Sequence, residues 1–292
     1  MPLLHGTLTA LVTPFRDGKV DFATLERLVE RQIEAGVDGL VACGITGEAP
    51  TLTGEEQTEI VKCVVRVARR RVPVVAGTGS NCTADAVELS RRAVAAGADA
   101  LLVVSPYYNR PTQAGVYAHY SAIAHAVEVP ILLYNIPGRT GVEIEIPTVR
   151  RLHADHSNIV AIKHATGRVL DAAELIQACQ IDVLSGDDAM TLPLMCMGAV
   201  GVVSVLANLA PRMVRRLTQA ALDGDLGRAQ LEHRILYPLS HTLLSLETNP
   251  IPVKTALALK GLCTEEFRLP LCPMAPENRA RLEALLKERN VE

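Results

Sequence analysis

The chain has 292 residues, 49% of them apolar, and a net charge of −3. That length and apolar content allow one large α/β barrel or two ordinary domains with a sizeable core. The balanced charge, with no basic stripe interleaved with aromatics, argues against nucleic-acid binding, and no apolar run reaches the roughly 18 residues of a membrane span.

Seven cysteines, an odd number with no C-x-x-C pair, fit reduced thiols. The first six residues carry no signal-peptide pattern, so a cytoplasmic location is expected. Thr7 to Thr13 reads as a strand closed by Pro14. Asp21 stands as the N-cap of a helix from Phe22 to about Ala35, with Gly36 at its C-terminal end. Gly39 to Cys43 is a short apolar strand, and Thr53 with Glu56 forms a capping-box pair opening a helix to Arg71. Pro73 to Ala76 reads as a strand, Thr83 as the cap of a helix ending at Gly97, and Ala100 to Val104 as the next strand. A helix from about Gln113 to Val127 leads to the strand Pro130 to Tyr134. A helix around Ile146 to Ala154 leads to Ile159-Val160-Ala161-Ile162-Lys163, an apolar strand running into an ammonium group. Val169 to Cys179 is helical, Ile181 to Leu184 a strand, Thr191 to Met197 helical, and Val200 to Val203 the eighth strand, followed by a helix from Pro211 to Leu222.

Eight strand–helix units without a composition break predict a (β/α)8 TIM barrel over residues 1–224. Ala35-Gly36-Val37-Asp38-Gly39-Leu40 and Ala96-Gly97-Ala98-Asp99-Ala100-Leu101 are near copies at a helix-to-strand junction, and Met197 to Val202 is a looser third. From Asp225 onward only helices are predicted, Leu226 to Leu246, Pro252 to Leu262 and Pro276 to Arg289. Residues 225–292 are therefore expected to form a C-terminal helical appendage packed on the barrel.

In such a barrel the reactive groups sit where strands end. Lys163 stands out, one of six lysines against 23 arginines, the other five being in turn-like or helical contexts. Burial disfavours its charged form and makes a free amine available to attack a carbonyl. A strand-end lysine paired with a carboxylate is the plainer alternative. Strand two ends in Gly44-Ile45-Thr46-Gly47-Glu48, either a plain turn or a carboxylate cradle of amides and one hydroxyl. Tyr107 after strand four and Tyr134 in strand five are rim aromatics or acid–base groups. Arg139, in Gly138-Arg139-Thr140-Gly141, is a surface arginine or a fork for a substrate carboxylate. Strand seven ends in Ser185-Gly186-Asp187-Asp188, and strand eight at Val203. Together these form a kit for Schiff-base chemistry on an α-keto acid. His153 and His156, at a helix end, are the nearest approach to a metal-ligand pair, and no metal site is expected. Gly77-Thr78-Gly79-Ser80-Asn81 lacks the P-loop lysine and reads as a strand-to-helix turn.

Tyr107-Tyr108-Asn109-Arg110-Pro111, Tyr134-Asn135-Ile136-Pro137-Gly138-Arg139-Thr140-Gly141, Ile162-Lys163-His164-Ala165-Thr166-Gly167 and Ser185-Gly186-Asp187-Asp188 carry a resemblance. Along its whole length the chain resembles the dihydrodipicolinate synthase family, pyruvate-dependent class I aldolases related to N-acetylneuraminate lyase. The resemblance implies a lyase that condenses pyruvate with aspartate 4-semialdehyde in lysine and diaminopimelate biosynthesis, without a cofactor. It implies Lys163 as the Schiff-base lysine, Tyr134 as the acid–base group over the imine, and Thr46 on the pyruvate carboxylate. It further implies Arg139 on the semialdehyde carboxylate, with Gly186 and Val203 lining the substrate site. Tyr107 would come from a neighbouring subunit of a tight dimer within a homotetramer. Two positions depart from the family pattern: Ile45 replaces a threonine that links the two tyrosines, and His164 replaces a glutamate. A sister aldolase using another 2-keto acid, and a barrel that binds a keto acid without catalysis, are the alternatives.

Overall fold

The computed structural model describes residues 4–289. Eight parallel strands close into a barrel: Gly6–Ala10, Gly39–Ala42, Val74–Gly77, Ala100–Val104, Ile131–Asn135, Ile159–His164, Asp182–Ser185 and Gly201–Ser204. Strands adjacent in sequence pair, and the first also pairs with the eighth, Gly6 opposite Gly201. This is the expected (β/α)8 barrel. Period-two alternation sends Leu8, Val41, Val75, Leu102, Leu132, Tyr134, Leu184 and Val203 into the barrel interior. Their neighbours Leu40, Leu101, Leu133, Ile162 and Val183 pack outward against the helices. Both faces are buried, which is why the strands read as continuous apolar runs.

The sixth strand breaks the alternation once. Ile131 pairs with Ile159, but Leu132 pairs with Ala161, so Val160 is an inserted residue. Ile159 faces the helices, Val160 and Ala161 both face the interior, Ile162 faces the helices again, and Lys163 follows it inward. Strict alternation from Ile159 would have turned Lys163 outward.

The near-repeats have a mechanical explanation. Gly36, Gly97 and Gly198 end their helices at φ of 80°, 95° and 103°, a region open to glycine. Two residues on, Asp38 Oδ2 accepts from the Thr7 amide at 2.8 Å, and Asp99 Oδ2 from the Val74 amide at 2.8 Å. Each carboxylate thus satisfies an amide of the adjoining strand. The third copy carries Val200 there, and its backbone carbonyl accepts from Gly6 N at 2.9 Å instead.

The caps at Asp21 and Thr53 form as expected, the latter as a full capping box with Glu56. Thr83 does not cap its helix; Cys82 is the N-cap residue, and the Thr83 hydroxyl bonds His119 Nδ1 at 2.9 Å. The hairpin Phe15–Arg16 with Lys19–Val20 was not expected from the sequence, being two residues a side. After the barrel come the helices Leu226–Ser245, Ile251–Leu259 and Pro276–Glu288. Leu236, Leu243, Val253, Leu257 and Leu282 on them share one hydrophobic cluster with Val12, Leu28, Val202 and Leu217. No helix among the described residues is long and apolar enough to cross a membrane.

Candidate active site

The C-terminal strand ends surround a cavity of about 450 Å³ whose lining includes Gly44, Ile45, Tyr107, Tyr134 and Arg139, together with Leu52, Gln57, Gly79 and Ser80. Lys163 lies beside it. Its Cα is paired with that of Tyr134, and its Nζ sits 4.2 Å from the centre of the Tyr134 ring. The lysine is 3% exposed, and no carboxylate among the described residues lies within ion-pair distance of its ammonium. Burial pushes its pKa down from 10.5 to about 8, against the opposing field of Asp188. The plainer reading, a lysine locked in an ion pair, is not what the structure shows. Burial pushes the Tyr134 phenol up to about 12, so it holds its proton at neutral pH.

Gly186 is set by that lysine. A Cβ there would lie 2.7 Å from Ala165 Cβ and 3.1 Å from Lys163 Cε, so any side chain would clash with Ala165 and crowd the lysine stem. Asp188 is spoken for: its Oδ2 accepts from the amides of Val205 and Leu206, and its Oδ1 from the Ser204 hydroxyl. It ties the end of strand seven to that of strand eight. Val203, buried in strand eight, packs in the interior cluster with Tyr134.

Thr46 is carried by the short 3-10 turn Ile45–Gly47 and is buried. The Ile45 and Thr46 amides open that turn and find no backbone acceptor among the described residues, as expected for the start of a helical turn. The Thr46 hydroxyl accepts from Asn249 Nδ2 at 3.0 Å, which leaves its own hydrogen for an outside acceptor. Arg139 rides on the short helix Pro137–Thr140, whose exit is clamped by Asn135 bonding both N and O of Ile144. Arg139 Nη2 donates to the Asn249 carbonyl at 3.4 Å. Asn249 therefore joins the two candidate carboxylate-binding residues. Sequence reasoning missed it, because it lies beyond the barrel with no motif around it.

The two tyrosines of the Tyr-Tyr-Asn-Arg-Pro segment part company. Tyr107 stands in the cavity wall of its own chain. Tyr108 is 90% exposed, and its backbone is held at a φ of 73° with its amide on Thr140 O at 3.1 Å. His164 points away from the cavity's lysine, its Nε2 bonded to Thr166 Oγ1 and Arg168 O. His153 Nδ1 bonds Ile159 O at the helix-to-strand junction, and His156 Nε2 bonds Ser121 Oγ on the helix Gln113–Ala126. No group of three or more His, Cys, Asp or Glu placed to hold a metal occurs among the described residues.

The arrangement offers a buried amine, a protonated phenol against it, an anion cradle and an arginine at the rim. Comparison with known proteins bears on what that set acts upon. The model of the Dihydrodipicolinate synthetase family matches residues 3–289. A 4-hydroxy-tetrahydrodipicolinate synthase of Geobacter sulfurreducens is 54% identical over 288 residues, covering 98% of this chain and 99% of that protein. The crystal structure of dihydrodipicolinate synthase from Aquifex aeolicus superposes with a TM-score of 0.97 at 46% identity, covering 99% of each chain. That of the chloride-inhibited enzyme from Acinetobacter baumannii, complexed with pyruvate, gives 0.96 at 47% identity, also over 99% of each chain.

Proposed function

The chain belongs to the Dihydrodipicolinate synthetase family, and from that premise we propose how its barrel mouth carries out the reaction. The protein is a lyase that condenses pyruvate with aspartate 4-semialdehyde to 4-hydroxy-tetrahydrodipicolinate, in lysine and diaminopimelate biosynthesis. The observation that carries the mechanism is the buried, unpaired amine of Lys163 lying 4.2 Å from the Tyr134 ring.

The Lys163 amine attacks C2 of pyruvate, and Tyr134 supplies the proton that lets the carbonyl oxygen leave as water. The resulting iminium draws electrons from the methyl group, which loses a proton to give an enamine. The enamine carbon attacks the aldehyde carbon of the semialdehyde, forming the new carbon–carbon bond, and the aldehyde oxygen takes a proton. The semialdehyde's own amino group then adds at C2, closing the ring and expelling Lys163. Thr46, with the free amides of its turn, holds the pyruvate carboxylate, and Arg139 forks onto the semialdehyde carboxylate. Gly186 leaves room for the lysine stem, and Val203 packs beneath the site. Ile45 is half-buried in the cavity wall that Tyr107 and Tyr134 also line, and it offers no hydroxyl to pass a proton.

The protein works as a homotetramer built from tight dimers, in the cytoplasm; seven free thiols, three of them exposed, fit that compartment. The residue that crosses to a neighbouring subunit is Tyr108, not Tyr107 as the sequence suggested. Tyr107 is already used by its own cavity, whereas a nearly bare tyrosine on a left-handed backbone is a side chain presented outward at an energetic cost. A coupled assay with pyruvate and aspartate semialdehyde tests the function, with aldehydes lacking the carboxylate as controls. Turnover should require the semialdehyde, and be lost on Arg139→Leu. Equal turnover with aldehydes that Arg139 cannot grip would favour a sister aldolase.

A further inference from the structure

A second lysine is more deeply buried than the nucleophile, and the mechanism above leaves it unused. Lys254, on the helix Ile251–Leu259, is 0% exposed, and its Nζ lies 2.6 Å from Oε1 of Glu48, whose side chain is also 0% exposed. The ammonium is closed in by the rings of Phe15 at 4.2 Å and Phe267 at 5.0 Å. The other carboxylate oxygen of Glu48 accepts from the Arg268 amide at 3.3 Å. A fully desolvated ion pair of this kind contributes little net stability compared with apolar side chains of the same size. What it fixes is geometry.

Glu48 is the residue at which the Thr46 turn ends, and its backbone is left-handed, at φ 55° and ψ 33°. A non-glycine residue stays there only when its surroundings hold it. The same turn is gripped at two further points. Thr13 Oγ1 donates to Gly47 O at 2.7 Å, and Asn249 Nδ2 donates to Thr46 Oγ1 at 3.0 Å. Asn249 and Lys254 belong to one stretch, with Lys254 N bonded to Pro250 O at 3.0 Å. Two side chains from that stretch, five positions apart, thus reach back to the loop that carries the carboxylate cradle.

We infer that Glu48, Lys254 and Asn249 are positioning residues for the keto-acid carboxylate, and that the segment after the barrel completes the substrate site. The ion pair fixes where the Thr46 turn sits. Asn249 fixes which way the Thr46 hydroxyl points, by occupying its acceptor side and leaving its hydrogen for the substrate. This rests on the reading of Thr46 as a pyruvate ligand.

Two variants separate positioning from folding. In Glu48→Leu/Lys254→Met both charges go and the volume stays, so the chain should fold while the turn loses its anchor. Asn249→Asp keeps the shape but accepts a hydrogen bond where the amide donated one, so it takes the Thr46 hydrogen away from the substrate. Each should raise KM for pyruvate by about tenfold or more, the scale of one hydrogen bond to a charged group, with kcat changed far less. KM for the semialdehyde should move less than KM for pyruvate in the double variant. An unchanged KM for pyruvate in both variants, whether kcat holds or falls, would mean that these residues serve stability alone and would overturn the inference. Borohydride trapping of wild type with pyruvate serves as the control. A wild type without a reducible adduct overturns the reading of the site and this inference with it. A wild type that forms the adduct, beside variants of unchanged KM, overturns the inference only.

Discussion

Lys163 and Lys254 are the same residue type under similar burial, put to opposite uses. Lys254 has a carboxylate at 2.6 Å, whereas Lys163 feels only the more distant Asp188 and has its pKa pushed down to about 8 by burial. At pH 7 about a tenth of Lys163 is therefore free amine. Imine formation with pyruvate should rise about tenfold per pH unit below that value and level off above it, because deprotonation creates the nucleophile. Single-turnover trapping from about pH 6 to 9 checks this; a flat profile would put the amine's pKa elsewhere. Ile45 supplies a second expectation. Ile45→Thr should raise turnover on the semialdehyde several-fold, a part of the ~10²- to 10⁴-fold that positioned acid–base groups contribute. Imine formation should stay nearly unchanged in that variant, since Lys163 and Thr46 are untouched. Flat or lower turnover with intact circular dichroism would mean that proton relay does not limit this protein. Lys163 was legible in the sequence because an apolar strand runs into it. Lys254 was not, because a lysine among Pro252, Val253, Thr255 and Ala256 reads as an ordinary helix residue, and its partner is 206 positions away.

At the scale of elements, the bulge in the sixth strand absorbs Val160 as an extra residue and so keeps Lys163 facing the barrel interior. Deleting Val160 removes the extra residue and leaves Ile159 outward, Ala161 inward, Ile162 outward and Lys163 inward, so Lys163 should still face the barrel interior. The variant should then keep trapping with pyruvate wherever circular dichroism shows a folded barrel. Lost trapping in a folded variant would mean that the strand changes register and turns Lys163 toward the helices. Such a bulge leaves no mark in a run of apolar residues, since both faces of a barrel strand accept them. The junction repeats were visible as repeats, with their glycines correctly placed at helix ends. The task of Asp38 and Asp99 was not visible, because the strand amides they satisfy belong to other units. Thr83 misled because its hydroxyl has a better partner in His119, a residue from the next helix.

For the whole molecule, the eight-unit architecture was legible because every unit repeats the same periodicities, and the closing pair between first and eighth strands follows from them. The reach of the C-terminal helices into the mouth was not, because it depends on contacts between residues some two hundred positions apart. Assembly is a further property of the whole. Sedimentation of the wild type at micromolar concentration should show a tetramer. Tyr108→Asp, which places a charge on the outward-facing side chain, should give smaller species of reduced turnover. A fully active wild-type monomer would contradict the proposed role of Tyr108. The most direct test of the whole account is reduction by borohydride in the presence of pyruvate, followed by peptide mass mapping. Schiff-base chemistry on Lys163 requires a reduced-pyruvate adduct on the Lys163 peptide alone, absent from Lys163→Ala. Label on Lys254 or any other lysine, or undiminished label in Lys163→Ala, would contradict it.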